Sequence, residues 1–299
     1  MPAPNNLNSR SLPELLPIFA MAFLGCEVTA ALVSICGLPK VATSAAITLI
    51  AVFSALRARL SEPALLAVYS GTFAGMGAIP VETHMLMWLT VMSLVAASVF
   101  VAFHCLQSQF PAICLPGVGG RLGFFAFVGY SVFSWLFLWR SPVFQPELVG
   151  FPNLLTNVLG MVLGASATTE LRRQLPVDTV THNVLASAAV GIVGSVFCMA
   201  DWKFGQPLSA AIYTGSFIGM STLASLRPSF ILVSSAIAAI AYTIASVLFS
   251  GWGGLLGSAA AGGVVLTRQL VLSQQGLKAL TENAAVPPSL DPAHRVETK

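Results

Sequence analysis

Ten long apolar runs follow one another along the chain, and they constrain its fold more than any other feature. They cover residues 13–36, 41–56, 63–80, 85–106, 121–139, 148–169, 180–199, 206–224, 229–249 and 253–271. A helix needs about 20 mainly apolar residues to cross the hydrocarbon core of a bilayer. Only 8% of the residues are charged, whereas a soluble domain carries about 25%. The runs therefore predict an all-α polytopic membrane protein with ten transmembrane helices in a lipid bilayer.

The same composition excludes several other classes of protein. The 14 lysines and arginines are scattered and the net charge is only +3, so we expect no nucleic-acid partner. The five cysteines are odd in number and include no C-x-x-C pair, which argues against a disulfide framework and a zinc site. The chain carries no recognisable catalytic triad, metalloprotease motif or paired carboxylates within a run. We therefore expect no enzyme activity, no metal and no cofactor.

The distribution of positive charge predicts the orientation. With a cytoplasmic N-terminus and ten crossings, the inner segments hold Arg10, Arg57, Arg59, Arg121, Arg172, Arg173, Arg227, Arg268, Lys278, Arg295 and Lys299. The outer loops hold only Lys40, Arg140 and Lys203. This excess of inner charge, and four tryptophans at the outer ends of spans, are typical of an integral protein with both termini in the cytoplasm. The tryptophans are Trp88, Trp139, Trp202 and Trp252. We expect it in the cell (inner) membrane.

An internal repeat divides the membrane region. Residues 69–76 read Tyr-Ser-Gly-Thr-Phe-Ala-Gly-Met, and residues 213–220 read Tyr-Thr-Gly-Ser-Phe-Ile-Gly-Met. Shorter matches occur in the same order, and they pair residues 13–15 with 146–148, 44–46 with 187–189, and 117–123 with 251–257. Four ordered matches are poorly explained by chance.

The repeat predicts two halves of opposite orientation. Each half holds five spans, and an odd number of crossings inverts the second half relative to the first. We therefore expect a cytoplasmic N-terminus over 1–12, a first repeat over 13–139, an inverted second repeat over 140–271, and a disordered cytoplasmic tail over 272–299. Inverted repeats are typical of secondary transporters and of some channels. The third and eighth runs are short and interrupted by glycine, so broken helices or re-entrant hairpins are alternatives there; hairpins would weaken the charge bias.

The two copies of the long motif are the predicted solute site. Half-helix ends would expose backbone N–H and C=O groups, hydroxyls would add donors and acceptors, and aromatic rings would wall the site. The predicted residues are Tyr69, Ser70, Gly71, Thr72, Phe73, Gly75, Tyr213, Thr214, Gly215, Ser216, Phe217 and Gly219. The alternative is close helix packing alone, because both motifs also contain the Gly-x-x-x-Gly spacing of tightly packed membrane helices.

One acidic residue lies well inside a predicted span. Glu27 is a candidate carboxylate for coupling to protons or sodium ions, or a solute ligand, because an ionisable group at such depth marks a functional site by default. The alternative is a structural role near the outer end or beside a polar neighbour. Glu170 and Gly160 are its two candidate counterparts in the second half, although a salt bridge with Arg172 or Arg173 accounts more simply for Glu170.

These features favour a transporter or channel. So few charges inside the spans suit a small neutral, zwitterionic or monovalent anionic solute better than a multiply charged one. The alternative is a membrane subunit that transports nothing and whose repeat serves to hold partners. The phenylalanines of the fifth span are expected to face lipid or a neighbouring subunit, which suits a homo-oligomer.

Overall fold

A computed structural model describes residues 12–57, 59–77, 84–110, 115–138, 150–175, 179–199, 204–222 and 227–285. Every regular element in these ranges is a helix. The helices are α1 (Leu12–Ser34), α2 (Lys40–Leu56), α3 (Glu62–Gly75), α4 (Met85–Gln109), α5 (Arg121–Phe133), α6 (Phe151–Gln174), α7 (Val180–Met199), α8 (Gly205–Gly219), α9 (Pro228–Leu248) and α10 (Leu255–Ala285). A π-helical turn, Ser134–Leu138, extends α5.

Seven of the described helices are long and apolar enough to cross a membrane, which confirms the all-α polytopic membrane class. Helix α2 is apolar but has only 17 residues. Helices α3 and α8 have 14 and 15 residues. At 1.5 Å per residue they are about 21–23 Å long, which is less than the roughly 30 Å hydrocarbon core. Both are almost entirely buried by the other helices, so lipid thickness does not set their length.

Helices α3 and α8 are continuous through the first glycine of each motif. Helix α3 passes through Gly71 and ends at Gly75, and α8 passes through Gly215 and ends at Gly219. Side chains at Gly71 and Gly215 would overlap the carbonyl oxygens of Ala22 in α1 and Met161 in α6. Gly71 and Gly215 therefore let two helix backbones touch without interrupting the helix, whereas Gly75 and Gly219 are the last residues of α3 and α8, inside the predicted spans.

The helices of each half have corresponding neighbours. Helix α1 packs on α3 and α4 as α6 packs on α8 and α9, and α3 packs on α2 and α5 as α8 packs on α7 and α10. The pairs α2–α7 and α5–α10 join the two sets. The loops before α5 and α10 also match, because Gly117, Gly120, Gly251 and Gly254 all have φ between 66° and 87°. Only glycine adopts this left-handed backbone at little cost.

Some predicted features differ or fall elsewhere. Helix α10 continues to Ala285 and so extends into the predicted tail. The remainder of that tail, the predicted N-terminal segment up to residue 11, and the Pro-Glu-Leu match at 146–148 lie outside the described residues. Trp139, Trp202, Arg140 and Lys203, which supported the predicted topology, also lie outside them.

The close contact between α1 and α3 generates a stability prediction. Gly71→Ala places a methyl group against the backbone of α1, so we expect it to lower stability by about 1–3 kcal/mol, as overpacking does. Gly262→Ala in α10 is the matched control, because a methyl group there meets no atom within 4 Å. Thermal unfolding of the purified protein should show a lower midpoint for Gly71→Ala only. Equal midpoints for both variants would contradict the packing described here.

Candidate functional site

Four aromatic rings from the two motifs meet between α3 and α8. Tyr69 and Phe73 are four residues apart, as are Tyr213 and Phe217, so each pair shares one helix face. The ring centroids of Phe73 and Phe217 are 4.9 Å apart. Tyr69 lies 6.2 Å from Phe217, and Tyr213 lies 6.0 Å from Phe73. All four side chains are buried, and we call them the aromatic quartet.

Two serines bridge the quartet to the neighbouring helices. The hydroxyl of Tyr69 lies 2.8 Å from Ser187 Oγ in α7, and Ser187 Oγ lies 2.7 Å from Ser216 Oγ in α8. Ser44 in α2 makes the corresponding contacts with the two motif helices exchanged. Its Oγ atom lies 3.3 Å from the Tyr213 hydroxyl in α8 and donates to Thr72 in α3 at 2.9 Å. All these hydroxyls are buried. Helices α2, α3, α7 and α8 are thus joined by side-chain hydrogen bonds.

The bridging serines are residues that sequence analysis did not place in the site. Ser44 and Ser187 appeared only as members of a matched Ser-Ala-Ala fragment. Ser44 is 169 residues from its partner Tyr213, and Ser187 is 118 residues from its partner Tyr69. The sequence feature that could have identified these serines is that they repeat in the two halves in the same order as the tyrosines.

The predicted site residues fall into two groups. Six meet at the centre: Tyr69, Thr72, Phe73, Tyr213, Ser216 and Phe217. The hydroxyl of Ser70 instead donates to the Leu122 carbonyl in α5, and that of Thr214 donates to Ala210 within its own helix. The glycines at 71, 75, 215 and 219 lie against α1 or α6. Their position matches the packing alternative considered for them.

Glu27 lies between α1 and α4. Its Oε1 atom accepts a hydrogen bond from Thr90 at 3.3 Å, and its Oε2 atom is buried with no hydrogen-bond partner in the described part of the chain. Gly25 packs on Val68, and Gly164 packs on Ile212, the residue that corresponds to Val68 in the second motif. Gly25 and Gly164 are therefore counterparts, and Ser166, two residues after Gly164, is the counterpart of Glu27. Neither Glu170 nor Gly160 therefore corresponds to it. Glu170 forms an exposed ion pair with Arg173 at 3.6 Å.

A cavity of about 160 Å³ adjoins one side of the quartet. Tyr69, Phe73 and Phe217 form part of its wall, together with the loop and helix start from Gly117 to Leu122. Among the described residues that line it, Arg121 is the one that carries a charge. Asn183 also lines it, and the side-chain oxygen of Asn183 is buried with no hydrogen-bond partner among the described residues. The cavity thus combines aromatic faces with a few polar groups.

Two arginines hold the segments beside the cavity. Arg172 is only 4% exposed, and it donates to the carbonyl of Gly219 and, at 2.7 Å, to that of Ser221. A cation suits this place because the carbonyls at a helix C-terminus lack partners and carry partial negative charge. Arg268 donates to the Gly117 carbonyl at 2.6 Å. The sequence indicated only that both arginines are on the inner side.

No protein-family model matches the chain, and no curated protein sequence matches it. The residues of the aromatic quartet, the bridging serines and the adjoining cavity are the candidate functional site.

The two adjacent arginines of α6 provide a direct comparison. Arg172→Gln removes charged hydrogen bonds from buried carbonyls, so we expect a loss of about 1.5–3 kcal/mol and a lower unfolding midpoint. Arg173→Gln is the control, because its side chain is 57% exposed and its ion pair is on the surface. A surface pair of this kind contributes at most about 1 kcal/mol. A midpoint for Arg172→Gln that equals that of Arg173→Gln would show that the α8 terminus does not need its cation.

Proposed function

We propose that this chain is a membrane transporter or channel for a small solute. The path runs between the two halves, past the aromatic quartet and through the cavity beside it. One observation carries the proposal: the two copies of the repeated motif, far apart in sequence, place their rings together next to an open space. Small-solute sites in membrane proteins of repeated architecture commonly lie where the repeats meet.

We further propose ten crossings and two inverted five-helix halves, with both termini in the cytoplasm. The corresponding neighbours of α1–α5 and α6–α10 support two equivalent halves. An odd number of crossings in each half would invert the second. Helices α2, α3 and α8 complete the ten crossings with the seven longer helices. The distribution of arginine and lysine supports this orientation, and we assign the protein to the cell membrane.

The cavity lining supports a small neutral, zwitterionic or monovalent anionic solute. A cavity needs only about 10–15 Å³ of accessible volume to hold one water molecule, so the 160 Å³ cavity has room for a small solute. Phe73 and Phe217 offer apolar contact, Asn183 offers hydrogen bonds, and Arg121 favours an anion over a cation. A multiply charged solute would meet too few opposite charges here.

The second candidate function is a structural subunit that transports nothing. The close glycine contacts of α3 and α8 and the burial of the quartet favour it, since both features stabilise a packed bundle without any solute. In that case the hydroxyl bridges serve only to join the helices. Homo-oligomers or other partners would then use the lipid-facing surface.

Osmotic light scattering on proteoliposomes separates the two functions. A panel of neutral, zwitterionic and anionic solutes should include at least one that accelerates re-swelling beyond that of empty liposomes. Phe217→Ala should slow that flux about two- to tenfold, because an aromatic contact contributes about 0.5–1.5 kcal/mol. Phe133→Ala is the control, since Phe133 in α5 is equally buried but does not line the cavity.

Two outcomes would contradict transport through the quartet. Flux that responds equally to Phe217→Ala and Phe133→Ala would place the path elsewhere. A flat response across the panel, together with no counterflow of any labelled solute, would favour the structural subunit. Leucine substitutions at Gly71 and Gly215 are unsuitable here, because they would force α1 and α6 away from the motif helices.

Glu27 is our proposed coupling residue. If protons bind there, the initial rate should depend on pH in the parent protein, and Glu27→Gln should remove that dependence. Glu170→Gln is the control, because Glu170 is an exposed carboxylate at the end of α6 and should leave the pH profile unchanged. A pH profile that survives Glu27→Gln would return Glu27 to a structural role as the acceptor for Thr90.

A further inference from the structure

Two matching loops approach the motif helices of opposite halves. The loop over 117–120 lies before α5 and the loop over 251–254 lies before α10, and both have left-handed glycines at their first and last positions. A side chain at Gly119 would overlap the Phe217 carbonyl in α8. A side chain at Gly253 would overlap the Ala74 carbonyl in α3. The two loops therefore occupy corresponding places, one against each motif helix.

The residue between the glycines differs between the loops. Val118 lines the cavity. Its counterpart Trp252 instead packs edge-on against Phe249, with ring centroids 4.9 Å apart, and in tilted contacts against Phe127 and Tyr130, with centroids 5.9 Å apart in each case. Tyr130 in turn fills the space beside Gly77, directly after the end of α3. We call Phe127, Tyr130, Phe249 and Trp252 the aromatic plug.

The counterparts of the plug are all smaller side chains. The match that pairs Val118 with Trp252 also pairs Leu115 with Phe249. Continued along α5 and α10, the same match pairs Phe127 with Ala261 and Tyr130 with Val264. Four aromatic rings, two from each half, therefore lie on one side, and their counterparts on the other side are one alanine, two valines and one leucine. The cavity lies on the side with the smaller residues.

We propose that the aromatic plug closes a second route to the aromatic quartet, on the opposite side from the cavity. The structure then represents the protein with one route open at Val118 and the other filled by Trp252 and Tyr130. This inference rests on the proposed function, because a closed route matters only if a solute passes the quartet. It assigns Trp252 and Tyr130 as gating residues.

Thiol labelling measures access to each side without any solute flux. Met220 lines the cavity, and its motif counterpart Met76 is buried on the plug side directly before Gly77. Each is replaced separately by cysteine in the full-length protein in lipid nanodiscs, where a charged thiol reagent reaches both faces. Labelling is followed for each cysteine-containing peptide by mass spectrometry. We expect Met220→Cys to react at least tenfold faster than Met76→Cys.

Removing the plug should reverse the protection of Met76→Cys. The double variant Trp252→Val with Tyr130→Val introduces the residues found at their counterparts, Val118 and Val264. We expect it to raise the labelling rate of Met76→Cys at least tenfold. Trp88→Val is the matched control, because Trp88 packs edge-on against Phe133, which is not part of the plug. We expect it to leave Met76→Cys protected. Fast labelling of Met76→Cys in the parent protein, or no increase in a folded plug variant, would overturn the proposal.

The converse substitution tests the same idea if the plug variant does not fold. Val118→Trp adds to the open side the ring that closes the other, and we expect it to slow labelling of Met220→Cys at least fivefold. No change in a folded Val118→Trp protein would overturn the proposal. Labelling needs no transport, so the two proposals can fail separately. A protected Met76→Cys together with no solute flux would contradict transport but not the plug. Solute flux together with equal labelling at both positions would contradict the plug but not transport.

Discussion

A hydroxyl buried among apolar helices can be stabilised only by a hydrogen-bond partner inside the protein, because lipid offers none. At the centre of the molecule such partners come from several helices. Ser44 and Ser187 each contact a tyrosine and a second hydroxyl, and these contacts set the positions of α2 and α7 relative to α3 and α8. The aromatic quartet is in turn held by its two tyrosine hydroxyls. A shift of either serine would leave buried polar groups unsatisfied, at a cost of about 1–3 kcal/mol each.

Close backbone contact provides the complementary constraint. Gly71 and Gly215 allow α1 and α6 to lie directly on the motif helices, which places the aromatic side of each motif helix toward the other half. The glycines on one side of each motif helix contact α1 or α6, so the rings on its opposite side face the other half. A packing role for the glycines is therefore compatible with a functional role for the rings.

The membrane class and most helix positions could be predicted from the sequence, because apolar runs report burial in lipid or protein directly. The starts of α4, α5 and α7 fall at the predicted residues 85, 121 and 180. The six central residues were found because the two motifs repeat. The continuity of α3 could not be predicted, since the Gly-x-x-x-Gly spacing suits both a break and a tight contact. The bridges of Ser44 and Ser187 and the buried Arg172 depend on partners distant in sequence, which no local pattern specifies.

The arginine at the end of α8 has a consequence for direction. Val33 stands at the corresponding place in α1, so the end of α3 has no such cation in that position. Two fully equivalent inverted halves would look the same from either side of the bilayer, and nothing in them would distinguish import from export. Under the proposed topology, Arg172 places a fixed positive charge beside the α8 end of the path, while the corresponding described position in α1, beside the end of α3, holds an uncharged valine. A charged solute would then meet different electrostatic potentials at the two entrances, and flow could be asymmetric in a structure built from similar halves.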